Sequence, residues 1–162
     1  MLAPTESAIR ASFVNTTQGE AKRLALPHDL DGRSWSDLDF LGWRDPAAPQ
    51  RAYLVTETDG GLVGVALRVA PQQTGRVRRS MCSLCLTTHT GDGVSLMTAR
   101  KAGSGGRQGN SVGVYVCSDL ACSLYLRGKK HAGPRMHETL TVAEKIDRTR
   151  ATLTAFLRKV TE

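Results

Sequence analysis

Apolar positions recur along this chain with two different periods, and the switches between them mark out most of its elements. Ile9, Phe13, Ala21 and Leu24 return at helical spacing behind Pro4 and Thr5, Glu6 sits near the positive end of the helix dipole, and Pro27 closes the run. This predicts one N-terminal helix. Residues 51–57 (R-A-Y-L-V-T-E) and 62–69 (L-V-G-V-A-L-R-V) read as strands, and Thr58-Asp59-Gly60-Gly61 supplies the turn of a β-hairpin. Val94 to Arg100 and Ser111 to Val116 read as two further strands. At the C-terminal end, Thr141-Val142-Ala143-Glu144 forms a capping box that opens a long helix. Val142, Ile146, Thr149, Leu153, Phe156 and Val160 follow it as one stripe, expected to pack on a core.

Three stretches break these periods. Ser34 to Pro46 (S-W-S-D-L-D-F-L-G-W-R-D-P) concentrates Trp35, Leu38, Phe40, Leu41 and Trp43 in a turn-rich segment, expected as core or a fixed lid, with a binding surface as the alternative. Ala102 to Asn110 is glycine-rich but lacks both the strand-turn-helix context of a dinucleotide fingerprint and the Gly-Lys-Ser/Thr ending of a P-loop, so a mobile hairpin tip is expected. Pro71 to Gly75 reads as a linker into the basic run Arg76 to Arg79, and Gly128 to Met136 as a basic, irregular loop.

The chemistry lies in the cysteines. There are four, in two tight pairs: Cys82 and Cys85 as C-x2-C, then Cys117 and Cys122 as C-x4-C, with 31 residues between the pairs. Zn²⁺ has no d-electron geometric preference and accepts four thiolates tetrahedrally at about 2.3 Å, which two short loops can deliver. Disulfides or unrelated buried thiols are the alternatives. No secretory signal opens the chain, so a reducing, cytoplasmic setting is expected, which disfavours disulfides. Asp119 to Leu126 reads as a short helix starting within the second pair. Knuckle, β-hairpin and then a helix whose first turn supplies the last ligands follow the order of a treble-clef zinc finger. The expected fold is therefore α+β: a treble clef with β-hairpins, flanked by an N-terminal helix and a long C-terminal one. Residues 1–50 are expected to pack on the finger (about 76–127) within the unit 51–162, the whole being one compact body.

Composition narrows the function. No apolar run approaches the ~20 residues of a membrane helix, so a soluble chain with no membrane partner is expected. The net charge of +7 is uneven: residues 1–61 carry −3, residues 62–135 carry +9 and residues 136–162 carry +1. An anionic partner, nucleic acid or an acidic protein face, fits this asymmetry. Arg78, Arg79 and Arg127 lie close in sequence to the cysteines, where they would offset part of the −2 of a zinc tetrathiolate. No nucleophile elbow, Ser/His/Asp signature or His-Glu-x-x-His appears, and His28, His89, His131 and His137 are scattered. His89, four residues past Cys85, is the one candidate substitute ligand. Four cysteines already complete a tetrahedron and leave no place for a water, so a structural ion, no enzymatic activity and no small-molecule substrate are expected.

The segments A-I-R-A-S-F-V-N at 8–15, L-D-F-L-G-W-R-D-P at 38–46, R-R-S-M-C-S-L-C at 78–85 and V-C-S-D-L-A-C-S at 116–123 together resemble a known family. It is the FBP-type treble-clef domain, the C-terminal zinc-finger domain of FusB-type elongation factor G-binding proteins that confer fusidic acid resistance. The resemblance covers nearly the whole chain. It implies one structural Zn²⁺ on Cys82, Cys85, Cys117 and Cys122, and binding to elongation factor G that promotes its release from the ribosome. Resistance proteins of this type carry a helical domain ahead of the finger, where this chain shows one expected helix and a tryptophan segment, so drug rescue is not implied along with factor binding. On charge and position, Arg79, Met81, Arg100, Lys101, Tyr115 and Arg127 are the candidate partner-binding residues. Contact with ribosomal RNA through the same basic segment is the alternative. Only Tyr115 and Tyr125 interleave aromatic rings with the basic residues of 62–135, which favours protein.

Overall fold

The computed structural model describes residues 1–71, 79–133 and 138–162. The readings that fall on Gln72 to Arg78 and Pro134 to His137, including part of the basic run with Arg76 and Arg78 and the reading of His137, lie outside the described residues. Helices α1 (Glu6–Ala11) and α2 (Gln18–Lys22) lead into strands β1 (Phe40–Arg44), β2 (Arg51–Thr58), β3 (Gly61–Val69), β4 (Arg79–Met81), β5 (Thr88–Thr90) and β6 (Val94–Arg100). Helix α3 (Gly103–Arg107), strand β7 (Ser111–Cys117), helix α4 (Cys122–Leu126) and helix α5 (Val142–Thr161) complete the chain. Five strands form one antiparallel sheet in the order β1-β2-β3-β6-β7, and β4 pairs with β5 in a two-stranded sheet.

The alternation of each strand sorts its side chains to two faces. One face carries Ala52, Leu54, Val65, Leu67, Val69, Met97, Ala99 and Val116, and packs with the cysteines and with Leu153, Phe156, Leu157 and Val160 of α5. The other carries Leu41, Trp43, Tyr53 and Val55, covered by Ile9, Phe13 and Leu24 from the N-terminal segment. Phe13, Trp43 and Tyr53 form a ring cluster there, with centroids 5.1–6.4 Å apart.

Several expectations change in detail. The N-terminal helix is two short helices, because Thr17 and Glu20 form a second capping box that starts α2 afresh. The residues between bend onto the sheet: Val14 N–H donates to Gly64 O at 3.0 Å, and Asn15 bonds the backbone of Ala66 and Arg100. This segment covers the sheet face remote from the cysteines. Contact with the finger falls instead to residues 37–44, where Lys129 pairs with Asp37 at 2.5 Å and Arg44 donates to Ser118 O at 3.2 Å. The tryptophan segment is core, and part of it is an edge strand: Trp43 lies opposite Tyr53 and donates from its indole to Ala25 O. The glycine-rich stretch is not a mobile hairpin tip. It folds into α3 and is tied down at both ends, Lys101 N–H donating to Asn110 O and Ala102 N–H to Val160 O. In α5 the stripe turns inward only from Thr149; Val142 is 50% exposed and Ile146 half-buried.

Candidate metal centre

Each cysteine pair sits in a turn closed by its own backbone. In the first, Leu86 N–H donates to Cys82 O at 2.9 Å and Cys82 N–H to Thr87 O at 3.0 Å, so β4, the knuckle and β5 form one hairpin. In the second, Leu120 N–H donates to Cys117 O at 2.8 Å and Asp119 Oδ1 accepts from Ala121 N–H, turning the chain so that Cys122 opens α4. Leu86 and Leu120 are the only non-glycine residues with positive φ among those described, at 56° and 57°. An L-residue in this left-handed region costs about 1–2 kcal/mol, so both knuckles hold strain that something must offset. Ser83 N–H donates to Tyr115 O at 2.7 Å and links the first knuckle to β7, which ends at the second.

The result is a buried sulfur cage. All four Sγ atoms lie within 4.8 Å of one another, with Cys82 to Cys122 at 3.7 Å and Cys85 to Cys117 at 3.6 Å. A tetrahedral ion with bonds of about 2.3 Å sets its sulfurs about 3.8 Å apart, whereas a disulfide requires about 2.05 Å. The cysteines are free of disulfides and spaced for zinc. Groups able to donate to thiolate surround them: Cys85 N–H points at Cys82 Sγ at 3.5 Å, and the Thr87 hydroxyl stands 3.2 Å from Cys85 Sγ. His89 is buried with Nε2 3.2 Å from Cys117 Sγ, so this histidine is a hydrogen-bonding neighbour of a ligand and not a substitute for one. Its ring meets Tyr125 edge-on at 4.8 Å. Gly93 packs against it as well, where an added Cβ would come within 2.6 Å of the histidine Cβ and of two imidazole atoms, Nδ1 and Cγ.

A model of the FBP C-terminal treble-clef zinc-finger family matches residues 8–160. The chain belongs to that family. No curated protein and no solved structure matches it. One structural Zn²⁺ fits the four thiols: Cys82 and Cys85 of the β4–β5 hairpin, Cys117 at the end of β7 and Cys122 at the start of α4 would hold it.

A second fastening joins the zinc finger to the rest of the molecule. Asp39, just ahead of β1, has a side chain 1% exposed that receives two bonds from Arg127 and a third from Arg150 of α5. Its backbone N–H donates to Ser123 Oγ in α4, and its carbonyl accepts from Thr56. Burial pushes the carboxyl up, but the two guanidiniums outweigh burial and hold it below the usual carboxylate range. Gly42 of β1 lets Leu120 approach, since a Cβ there would fall 2.5 Å from the leucine Cβ. Nothing in the spacing of the sequence marks Asp39; the two arginines that bind its carboxylate lie 88 and 111 residues away.

The six candidate partner-binding residues separate. Arg79 and Met81 lie exposed on β4, beside the first knuckle, with Met81 46% exposed. Arg100 and Tyr115 stand on the five-stranded sheet, and Lys101 is half-buried at its rim. Arg127 does not face outward: its side chain, 15% exposed, is bound to Asp39 and neutralises that carboxylate in place of the zinc tetrathiolate.

Proposed function

We propose that this protein is a non-enzymatic, cytoplasmic docking module for elongation factor G, with the zinc finger as its contact and release of the factor from the ribosome as its outcome. Family membership supports the reading. The single observation that carries it is the exposed β4 strand, where Met81 offers an apolar anchor and Arg79 a cation directly beside the metal-held knuckle. The +9 charge of residues 62–135 would steer an acidic face of the factor towards this edge. The metal's part is to fix the hairpin that presents the strand. Four buried thiolates complete its shell, which supports a scaffold role and not a catalytic one. No helix among the described residues is long and apolar enough to cross a membrane, in keeping with a partner met in solution.

The test is affinity capture of purified elongation factor G on the zinc-loaded protein. The Arg79→Glu, Met81→Glu double variant should retain its zinc and bind at least tenfold more weakly, a loss of about 1.4 kcal/mol or more. Undiminished binding places the interface elsewhere. No binding by the wild type removes the reading.

A further inference from the structure

We propose that the uncovered half of the five-stranded sheet binds single-stranded RNA, independently of the docking role of β4. The face that the N-terminal segment covers at Leu41, Trp43, Tyr53 and Val55 continues, uncovered among the described residues, over the ends of β2 and β3 that carry Arg51 and Arg68 and across β6 and β7. Strand register sets Arg51 opposite Arg68, Arg68 opposite Thr98 and Thr98 opposite Gly113; Arg100 follows two residues along β6, and Tyr115 two residues the other way on β7. Directly paired residues share a face, so these six form one surface. Its three arginines are exposed and Tyr115 is 55% exposed.

The charge on this surface is unbalanced. Like charges directly opposite on paired strands are destabilising, yet Arg51 faces Arg68, and neither they nor Arg100 make an ion pair among the described residues. No strand position of the bare half is acidic. Glu20, at its border beside Arg100, is held by the Thr17 capping box. A polyanion relieves this repulsion, and the guanidinium fork matches phosphate geometry.

Shape separates RNA from other polyanions. Arg68 and Arg100 are one strand and two residues apart, about 8 Å, a span suited to neighbouring phosphates of an extended strand. Gly113 leaves the middle of the surface flat, so a backbone laid across it can seat an unpaired base on the Tyr115 ring, which a duplex or an acidic peptide cannot supply. Thr98 Oγ1, bonded to Arg68 O only at 3.4 Å, stands on that path as a partner for a ribose 2′-hydroxyl.

Fluorescence anisotropy of the zinc-loaded full chain with labelled dodecauridylate, dodecathymidylate and polyglutamate, over a salt series, tests this. Dodecauridylate should bind tightest, its affinity falling by about two log units per log unit of salt for three phosphates contacted. Arg68→Gln with Arg100→Gln should remove about 1.4 from that slope. Tyr115→Ala should weaken binding about tenfold with the slope unchanged, and the Arg79→Glu, Met81→Glu variant should bind RNA as the wild type does. Each variant is checked for one zinc per chain. Absence of dodecauridylate binding, indifference to the sheet variants, or equal affinity for dodecathymidylate or polyglutamate overturns the proposal.

Discussion

The two ends of the main sheet are stabilised by different means. At the β1–β3 end both faces carry packed layers, and Leu41, Trp43, Tyr53, Val55 and Ile9 bury large side chains against one another, with only the Arg51 and Arg68 ends of β2 and β3 left exposed. At the β6–β7 end one face is uncovered among the described residues, and the finger beneath the other is built from short turns, three-residue strands and two strained leucines. Burial of large apolar residues suffices for the first region. The second needs a metal and a buried ion cluster, and in return it keeps exposed surface beside rigid backbone. A metal crosslink stabilises without covering, which suits the docking role proposed above.

Chelation should break this comparison most sharply. Structural zinc contributes on the order of 10 kcal/mol in isolated fingers. Its removal should strip hydrogen-exchange protection from residues 79–90 and 117–127 while β1 to β3 keep theirs. Equal loss at both ends would mean that the ion holds the whole fold and not one region.

Replacement of Asp39 tests the joint between the regions. Asp39→Asn leaves two arginines facing a neutral group and should cost about 3 kcal/mol at pH 7 in urea unfolding of the zinc-loaded protein. The native carboxyl lies below its unfolded value of about 3.9, so the advantage of the wild type is fully present above that pH and fades as pH falls through the native value. Thiolate protonation affects both proteins alike and drops out of the difference. A difference that persists unchanged in acid would exclude the ion cluster as its source.

The smallest effect is expected at the first knuckle. Leu86→Gly relieves a left-handed residue but removes a half-buried side chain, and should stay within about 1 kcal/mol of wild type. Leu86→Val, β-branched at the same φ, should cost more. The reverse order would contradict the strained turn.

Local periodicity and ligand spacing made much of this legible in the sequence. The β2–β3 hairpin, the β6 and β7 strands, the α5 capping box and the four clustered cysteines are written within a few residues each. Features set by distant partners were not. Phe40 to Arg44 is buried on both faces, so no alternation betrayed β1. Strands β4 and β5 are three residues each, too short to show a period. Asp39 looked like any surface acid until Arg127 and Arg150 met it. Arg51, counted with the acidic N-terminal third, belongs by register to the basic sheet surface.

The central claim is that one zinc ion on Cys82, Cys85, Cys117 and Cys122 fastens the two halves of the finger. Native mass spectrometry of the purified chain, paired with thiol titration before and after chelation, tests it most directly. One zinc per chain is predicted, with four thiols silent until the ion is removed and reactive afterwards. A folded, metal-free chain whose thiols react at once, or whose cysteines are joined as disulfides, would contradict it.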